Sequence, residues 1–336
     1  MNEYALSIGS HVVYWSSILI VLAAAACFCL TYALFTAHGG RAAAMWLLLP
    51  VAVVLSVVLS RFLHWYCHEE QYTGFWKAMT DYSAGSYCMP GVLLGTALAV
   101  LVVRLLGFTS NARRLFDCLA PGAALGIGLI RLSCLFTTAD RSKILVKRPF
   151  FQHLPLASGI QTVSGGTEYR FATFFVQFLA MMLLCSLLLR FFDRRRRWPM
   201  KAGQPRDGHV ALMFLVGYCA SELVLDSTRY DASFARFNGF VSIVQILSAV
   251  TLLVVLIIYS VRSVRANGRR GYHWILWIGF WLAVGATGVL EYLVQRYGNA
   301  YLACYTGMSV TCLLIAYVDY RMYLTVCDRK PHRSRE

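Results

Sequence analysis

The sequence predicts an all-α fold, a polytopic membrane helix bundle, on three observations. Apolar residues make up 58% of the 336 and charged residues only 14%, where a soluble domain carries about 45–50% and about 25%. Apolar runs of some twenty residues recur along the whole chain, each long enough for a helix to cross roughly 30 Å of hydrocarbon. The remaining charge gathers between those runs, with a formal surplus of +15. A soluble enzyme, a disordered chain and a disulfide scaffold are excluded by this composition. The basic surplus reads as cytoplasmic loops lying against anionic headgroups, so no nucleic-acid partner is expected.

Nine spans follow in order, near 12–36, 42–66, 84–106, 115–138, 170–192, 209–227, 239–261, 272–294 and 299–320. The first is long enough to remain in the bilayer, so no cleavable signal is expected. The third opens on a Gly/Pro break, SAGSYCMPGVLLG, which suits either a helix cap or a cavity wall. Between the fourth and fifth runs a long connection, 139–169, holds Pro149, Pro155, Gly159, Gly165 and Gly166, and loops of that length are usually functional or mobile. Cysteines such as Cys27, Cys219 and Cys312 sit inside apolar runs, where they act as small hydrophobes, and no C-x-x-C pair occurs.

Lys and Arg set the orientation. With the N-terminus outside, the inner loops and tail hold twenty of them and the outer loops eight. The chain is therefore read as N-terminus out and C-terminus cytoplasmic.

Three arginines fall at membrane depth, where a cation costs about 2.5–3.5 kcal/mol on insertion scales. Arg61 and Arg170 lie near span ends, within snorkelling reach of the interface. Arg131 does not. It sits in LGIGLIRLSCLF after Gly126 and Gly128, and only Asp140 is an acid within ten positions. Small residues before it let a helix or a lipid headgroup approach, so it either contacts a phosphate or pairs with an acid on another helix. In the sixth span Glu222, Asp226 and Arg229 share one helical face at i, i+4 and i+7. Such a stripe faces the bundle interior or a wet cavity, unless it ends in water. Glu222 is the expected partner of Arg131, and Asp226 that of Arg229. His64 and His68 crowd the outer end of the second span with Glu69 and Glu70. No third ligand is evident, so no metal or other cofactor is assigned.

The order of these motifs resembles one family, the prolipoprotein diacylglyceryl transferases of bacterial inner membranes. The likeness runs from about residue 10 to 260. VVYWSSILIVLA resembles the family's first-span start, with Tyr14 and Trp15 as its aromatic pair. VVLSRFLHWY sets Arg61 on the second-span arginine, and SYCMPGVLLG sets Gly91 and Gly95 on the glycines of a His-Gly-Gly segment. GLIRLSCLF resembles the signature Gly-Arg-Ile-Gly-Asn-Phe, with Arg131 on its arginine. GYCASELVLDSTRYD matches the late Tyr-Gly and Arg run through Tyr218, Asp226 and Arg229, and FVSIVQILS keeps Gln245. Three positions depart. The family's histidine falls on Met89, its Gly-Asn on Ser133 and Cys134, and a late arginine on Glu222.

The resemblance implies a seven-span transferase-like membrane core, 1–262, with a two-span extension, 263–320, and a basic cytoplasmic tail, 321–336. It implies transfer of a diacylglyceryl group from phosphatidylglycerol, or another phospholipid, to a prolipoprotein cysteine in the plasma membrane. Arg131, Arg61, Arg229, Tyr14, Trp15, Gly91 and Tyr218 are then the expected lipid-binding residues. Thiol attack needs a base, and with Met89 unable to take a proton the candidates are Glu222, Asp226, His64 and His68. A relative that binds phospholipid without catalysis is the alternative. A transporter is disfavoured by the lack of an inverted repeat.

Overall fold

The computed structural model describes residues 4–8, 11–80, 87–137, 139–161, 166–197, 200–201, 203–235, 238–298 and 300–327. Each of the nine apolar runs is a helix: α1 (Trp15–Ala37), α2 (Ala42–Cys67), α4 (Met89–Leu105), α5 (Ala112–Ser133), α7 (Thr173–Arg197), α8 (His209–Thr228), α9 (Ile243–Asn267), α10 (Gly271–Tyr297) and α11 (Tyr301–Leu324). Two short helices, α3 (Phe75–Thr80) and α6 (Pro149–Gln152), lie in connections. Three antiparallel hairpins complete the fold: β1 (Tyr4–Ile8) with β2 (His11–Tyr14), β3 (Ala157–Gln161) with β4 (Thr167–Phe171), and β5 (Phe234–Ala235) with β6 (Asn238–Ser242).

Among the described residues, eight of these helices are long and apolar enough to cross a membrane. The exception is α4. It has 17 residues because Pro90 stands in its first turn, where a missing N–H costs nothing, and it starts at Met89. Residues 84–86 of the expected third span lie outside the described part. Two further expectations shift at hairpins. The long connection folds into α6 and the β3–β4 hairpin, so the fifth span begins at Thr173 and Arg170 is a strand residue. The seventh span begins at Ile243, after strand β6.

Helices α5 and α8 form the interior. About half of each is buried within the bundle, against 17% for α1 and α2. They run parallel and are joined at their starts, where the Asp117 carboxylate of α5 accepts from the backbone N–H groups of Gly208 (2.8 Å) and Ala211 (3.0 Å). An anion at a helix N-terminus satisfies orphan donors and meets the positive end of the dipole. Around this pair α1 and α7 pack on α5, while α9 and α11 pack on α8.

Helix α4 pairs closely with α2. A Cβ added at Gly91 or Gly95 would collide with the backbone of Ser60 or Ser56. Small residues four apart allow this approach. The Ser60 hydroxyl accepts from Cys88 N–H (2.7 Å) and donates to Cys88 O (2.8 Å), which seals the start of α4. Gly126 packs against α1 and Gly128 against α7.

Candidate functional site

The three hairpins sit at one end of the bundle, where α5 and α8 finish and α1, α7 and α9 begin. Here the loop after α5 crosses to the end of α8, with Ser142 bridging Arg229 and Leu145 bridging Arg170. The Lys143 N–H donates to Thr228 O (2.9 Å), and the Ser142 hydroxyl donates to the same carbonyl at 2.9 Å.

This crossing places Asp140 between two cations. Its Oδ2 pairs with Arg131 Nη1 and its Oδ1 with Arg229 Nη2. The Cys134 thiol donates to Oδ2 at 3.2 Å. The Asp140 backbone is left-handed, φ +56°, a region that non-glycine residues seldom enter except Asn and Asp. Burial raises the Asp140 carboxyl, but Arg131 and Arg229 outweigh it and hold its pKa at about 2. Against its own burial, Arg229 is raised by Asp140 and Asp226.

The stripe on α8 joins the same cluster. Glu222 Oε1 lies 3.9 Å from Arg131 Nη2 and accepts from the Gln177 amide of α7. Asp226 Oδ1 is 3.3 Å from Arg229 Nη1, and its Oδ2 accepts from Ser242 Oγ at the start of α9. Asp231 closes the ring, its carboxylate 3.3 Å from Arg229 Nε and accepting from the Asp140 N–H at 3.1 Å. Both expected pairings are present, but Arg131 is not an arginine awaiting an anion. Asp140 already meets it, because the loop doubles back over the end of α5.

Five buried atoms of the cluster have no hydrogen-bond partner among the described residues: Arg131 Nε, Asp140 Oδ1 (in ion-pair contact with Arg229), Gln177 Oε1, Tyr218 Oη and Glu222 Oε2. Polar atoms at this burial are nearly always paired, so they mark a place for a ligand or water.

Beneath the cluster an apolar cavity of about 360 Å³ runs between α1, α2, α4, α5 and α8. Ile127 and Ile130 carry its wall up to the turn that holds Arg131, with Phe28, Leu48, Leu93 and Phe214 further along. Met89 lines it too, and among the described residues no acid, histidine, lysine or arginine does.

Other predicted residues lie elsewhere. Gly91 is a packing position against α2, outside the cavity wall. Arg61 does not snorkel. It is buried and donates twice to Ala78 O, at 2.7 and 3.1 Å, with its guanidinium 5.4 Å over the Tyr87 ring. His64 stacks on His68 at 4.5 Å and shares a hydrogen bond with Tyr72 Oη, on the side of the short α3. Tyr14 ends β2 exposed, and Trp15 stacks on Phe136 just past the end of α5. Arg170 pairs with Glu168 (3.2 Å) and lies over Tyr230, facing the loop rather than lipid.

Among the residues that sequence reasoning passed over are Asp140, Gln177 and Ser242. Asp140 was visible only as the one acid near Arg131. The other two offered no signal, since a lone Gln or Ser at a span end is ordinary.

A family model for prolipoprotein diacylglyceryl transferase matches residues 3–261. A search of curated proteins returns no match. The family is one of membrane transferases that move diacylglyceryl groups to prolipoproteins in lipoprotein biosynthesis. Its match takes in the β1–β2 hairpin, every helix that lines the cavity and the whole arginine–carboxylate cluster. By that match the chain belongs to the prolipoprotein diacylglyceryl transferase family.

Proposed function

We propose that the chain holds a phospholipid with its acyl chains in the cavity and its phosphate between Arg131 and Arg229, and passes the diacylglyceryl group to a prolipoprotein cysteine. One observation carries this reading: the buried Arg131 and partly buried Arg229 guanidinium groups converge on a single anion position, next along α5 from Ile127 and Ile130 of the apolar cavity wall. Asp140 fills that position in the structure, and the phosphate takes its place when lipid is bound. Guanidinium groups bind carboxylate and phosphate by the same paired N–H geometry. In the transfer, the cysteine sulfur bonds to the glyceryl carbon as its bond to the phosphate oxygen breaks. Glycerol phosphate leaves with the electron pair, stabilised by the two arginines. The thiol proton passes to a carboxylate of the cluster, Glu222 or Asp226 on α8 or the displaced Asp140. Phosphatidylglycerol is the donor, in a bacterial inner membrane.

A second reading is favoured by the cavity wall. Met89 stands where the resemblance sets the family's histidine, and among the described residues the wall offers no ionisable side chain besides the Cys27 thiol. A relative that binds phospholipid without turning it over fits that wall. Expression in cells depleted of their own transferase separates the two. The transferase reading expects lipoproteins heavier by one diacylglyceryl group, lost in Arg131→Ala. Phospholipid retained by the purified protein, with no lipoprotein mass gain, supports the second reading. Wild-type mass gain in Arg131→Ala overturns the headgroup assignment.

A further inference from the structure

Helices α10 and α11 lie beyond the family match, yet they reach the loop that carries Asp140. From that loop Lys143 Nζ donates to Gln295 Oε1 on α10 at 3.2 Å, and Gln295 Nε2 donates in turn to Glu291 Oε1 at 2.9 Å. Lys143 also sits 5.3 Å over the Phe234 ring. From α11, Tyr305 Oη donates to Ser227 O at 3.2 Å, one residue from Asp226. A separate apolar cluster buries Val294, Cys304, Tyr305 and Met308, and Ile144 of the loop and Val224 of α8 pack against it. The polar contacts and the apolar cluster thus join the extension to both halves of the ionic site. Nothing in a transferase core requires two more helices for this, so their reach to Lys143 and Ser227 calls for a role.

We propose that the α10–α11 pair latches the Asp140 loop, with Gln295, Glu291 and Tyr305 as positioning residues that keep Asp140 between Arg131 and Arg229. The proposal rests on the reading that a phospholipid phosphate competes for that same anion position. Holding the loop at Lys143, three residues from Asp140, raises the cost of moving the carboxylate aside. The latch therefore sets how readily lipid enters. Burial draws the Lys143 ammonium below its ordinary value, and Glu291 opposes that shift, which fits an ammonium enclosed by the contact.

Amide hydrogen exchange on the purified full chain reads the latch directly. The N–H groups of Ser142, Lys143 and Val146 donate to Phe171, Thr228 and Tyr169 carbonyls, so their protection reports the docked loop. Gln295→Ala should speed exchange across 140–146 about tenfold, as expected for one lost hydrogen bond to a charged group. Lys143→Met removes the same hydrogen bond from the loop side and should speed exchange at least as much, with no further gain when Gln295→Ala is added to it. Protection in α1 and α2 should be the same in all of these proteins, which separates undocking from misfolding. Loop protection unchanged in Gln295→Ala, or a further loss when it is added to Lys143→Met, overturns the latch. Phospholipid carried by the purified protein tests the underlying reading separately. Asp140→Asn should retain more anionic phospholipid than wild type. No gain in that variant overturns the competing-anion reading, whatever the loop exchange shows.

Discussion

Asp140 carries the electrostatics of the site. Two guanidinium groups hold its pKa at about 2, below the usual 3.8, so its charged form is favoured by folding. A depressed carboxylate stabilises the folded state fully above its unfolded pKa and loses that contribution as pH falls through the folded value. The loop should therefore stay docked at pH 5 and loosen between about pH 4 and pH 2. Exchange or proteolysis of 139–148 against pH checks this, and Asp140→Asn should flatten the profile across that window. The residue scale is also where the sequence was least readable. Arg131 and the Glu222 stripe stood out because a charge inside an apolar run is conspicuous. Asp140 did not, because it follows the helix end and its position depends on a chain reversal that no periodicity encodes. Gly91 and Arg170 were misplaced for a related reason: a glycine in a helix start fits packing as well as a ligand, and a hairpin strand of TEYRF composition merges into the apolar run after it.

Among the elements, α9 shows how one side chain serves two tasks. Ser242 Oγ accepts from Gln245 N–H at 3.1 Å while Gln245 Oε1 accepts from Ser242 N–H at 3.0 Å, a reciprocal cap on the helix start. The same hydroxyl donates to Asp226. Gln245 was noticed in the sequence as a motif match. Its work is structural, since its amide also donates to Leu223 O at 3.0 Å and ties α9 to α8. Ser242→Ala should cost about 2–3 kcal/mol, about 1 from the lost cap and the rest from a hydrogen bond to a buried carboxylate. Thermal unfolding in detergent measures the loss. Gln245→Glu should cost at least as much, because its carboxylate still accepts from Ser242 N–H but sets a buried oxygen against Leu223 O in place of a donor.

For the whole molecule, helix existence was legible almost throughout, because crossing a bilayer is a requirement on length and polarity that a one-dimensional reading captures. Helix partnership was not: α1 with α5 and α2 with α4 are contacts between segments that only the folded bundle brings together. Orientation remains an expectation from the distribution of Lys and Arg, twenty on one side against eight on the other. A reporter fused after residue 336 that is active only in the cytoplasm should be active, and the same reporter ahead of residue 1 should be silent. The reverse pattern would place the arginine–carboxylate cluster on the inner face and remove lipoprotein precursors emerging outside as its acceptors.

The two joints between α5 and α8 have a mechanical consequence. Asp117 fastens one end, Arg131 with Glu222 the other, fourteen residues or about 21 Å apart along the helix. A pair tied at both ends acts as a fixed spine, so under the proposed function admission of a two-tailed lipid falls to the opposite wall. That wall is α1, α2 and α4, across the cavity from α5 and α8, and lipid should then enter sideways between those helices rather than from water.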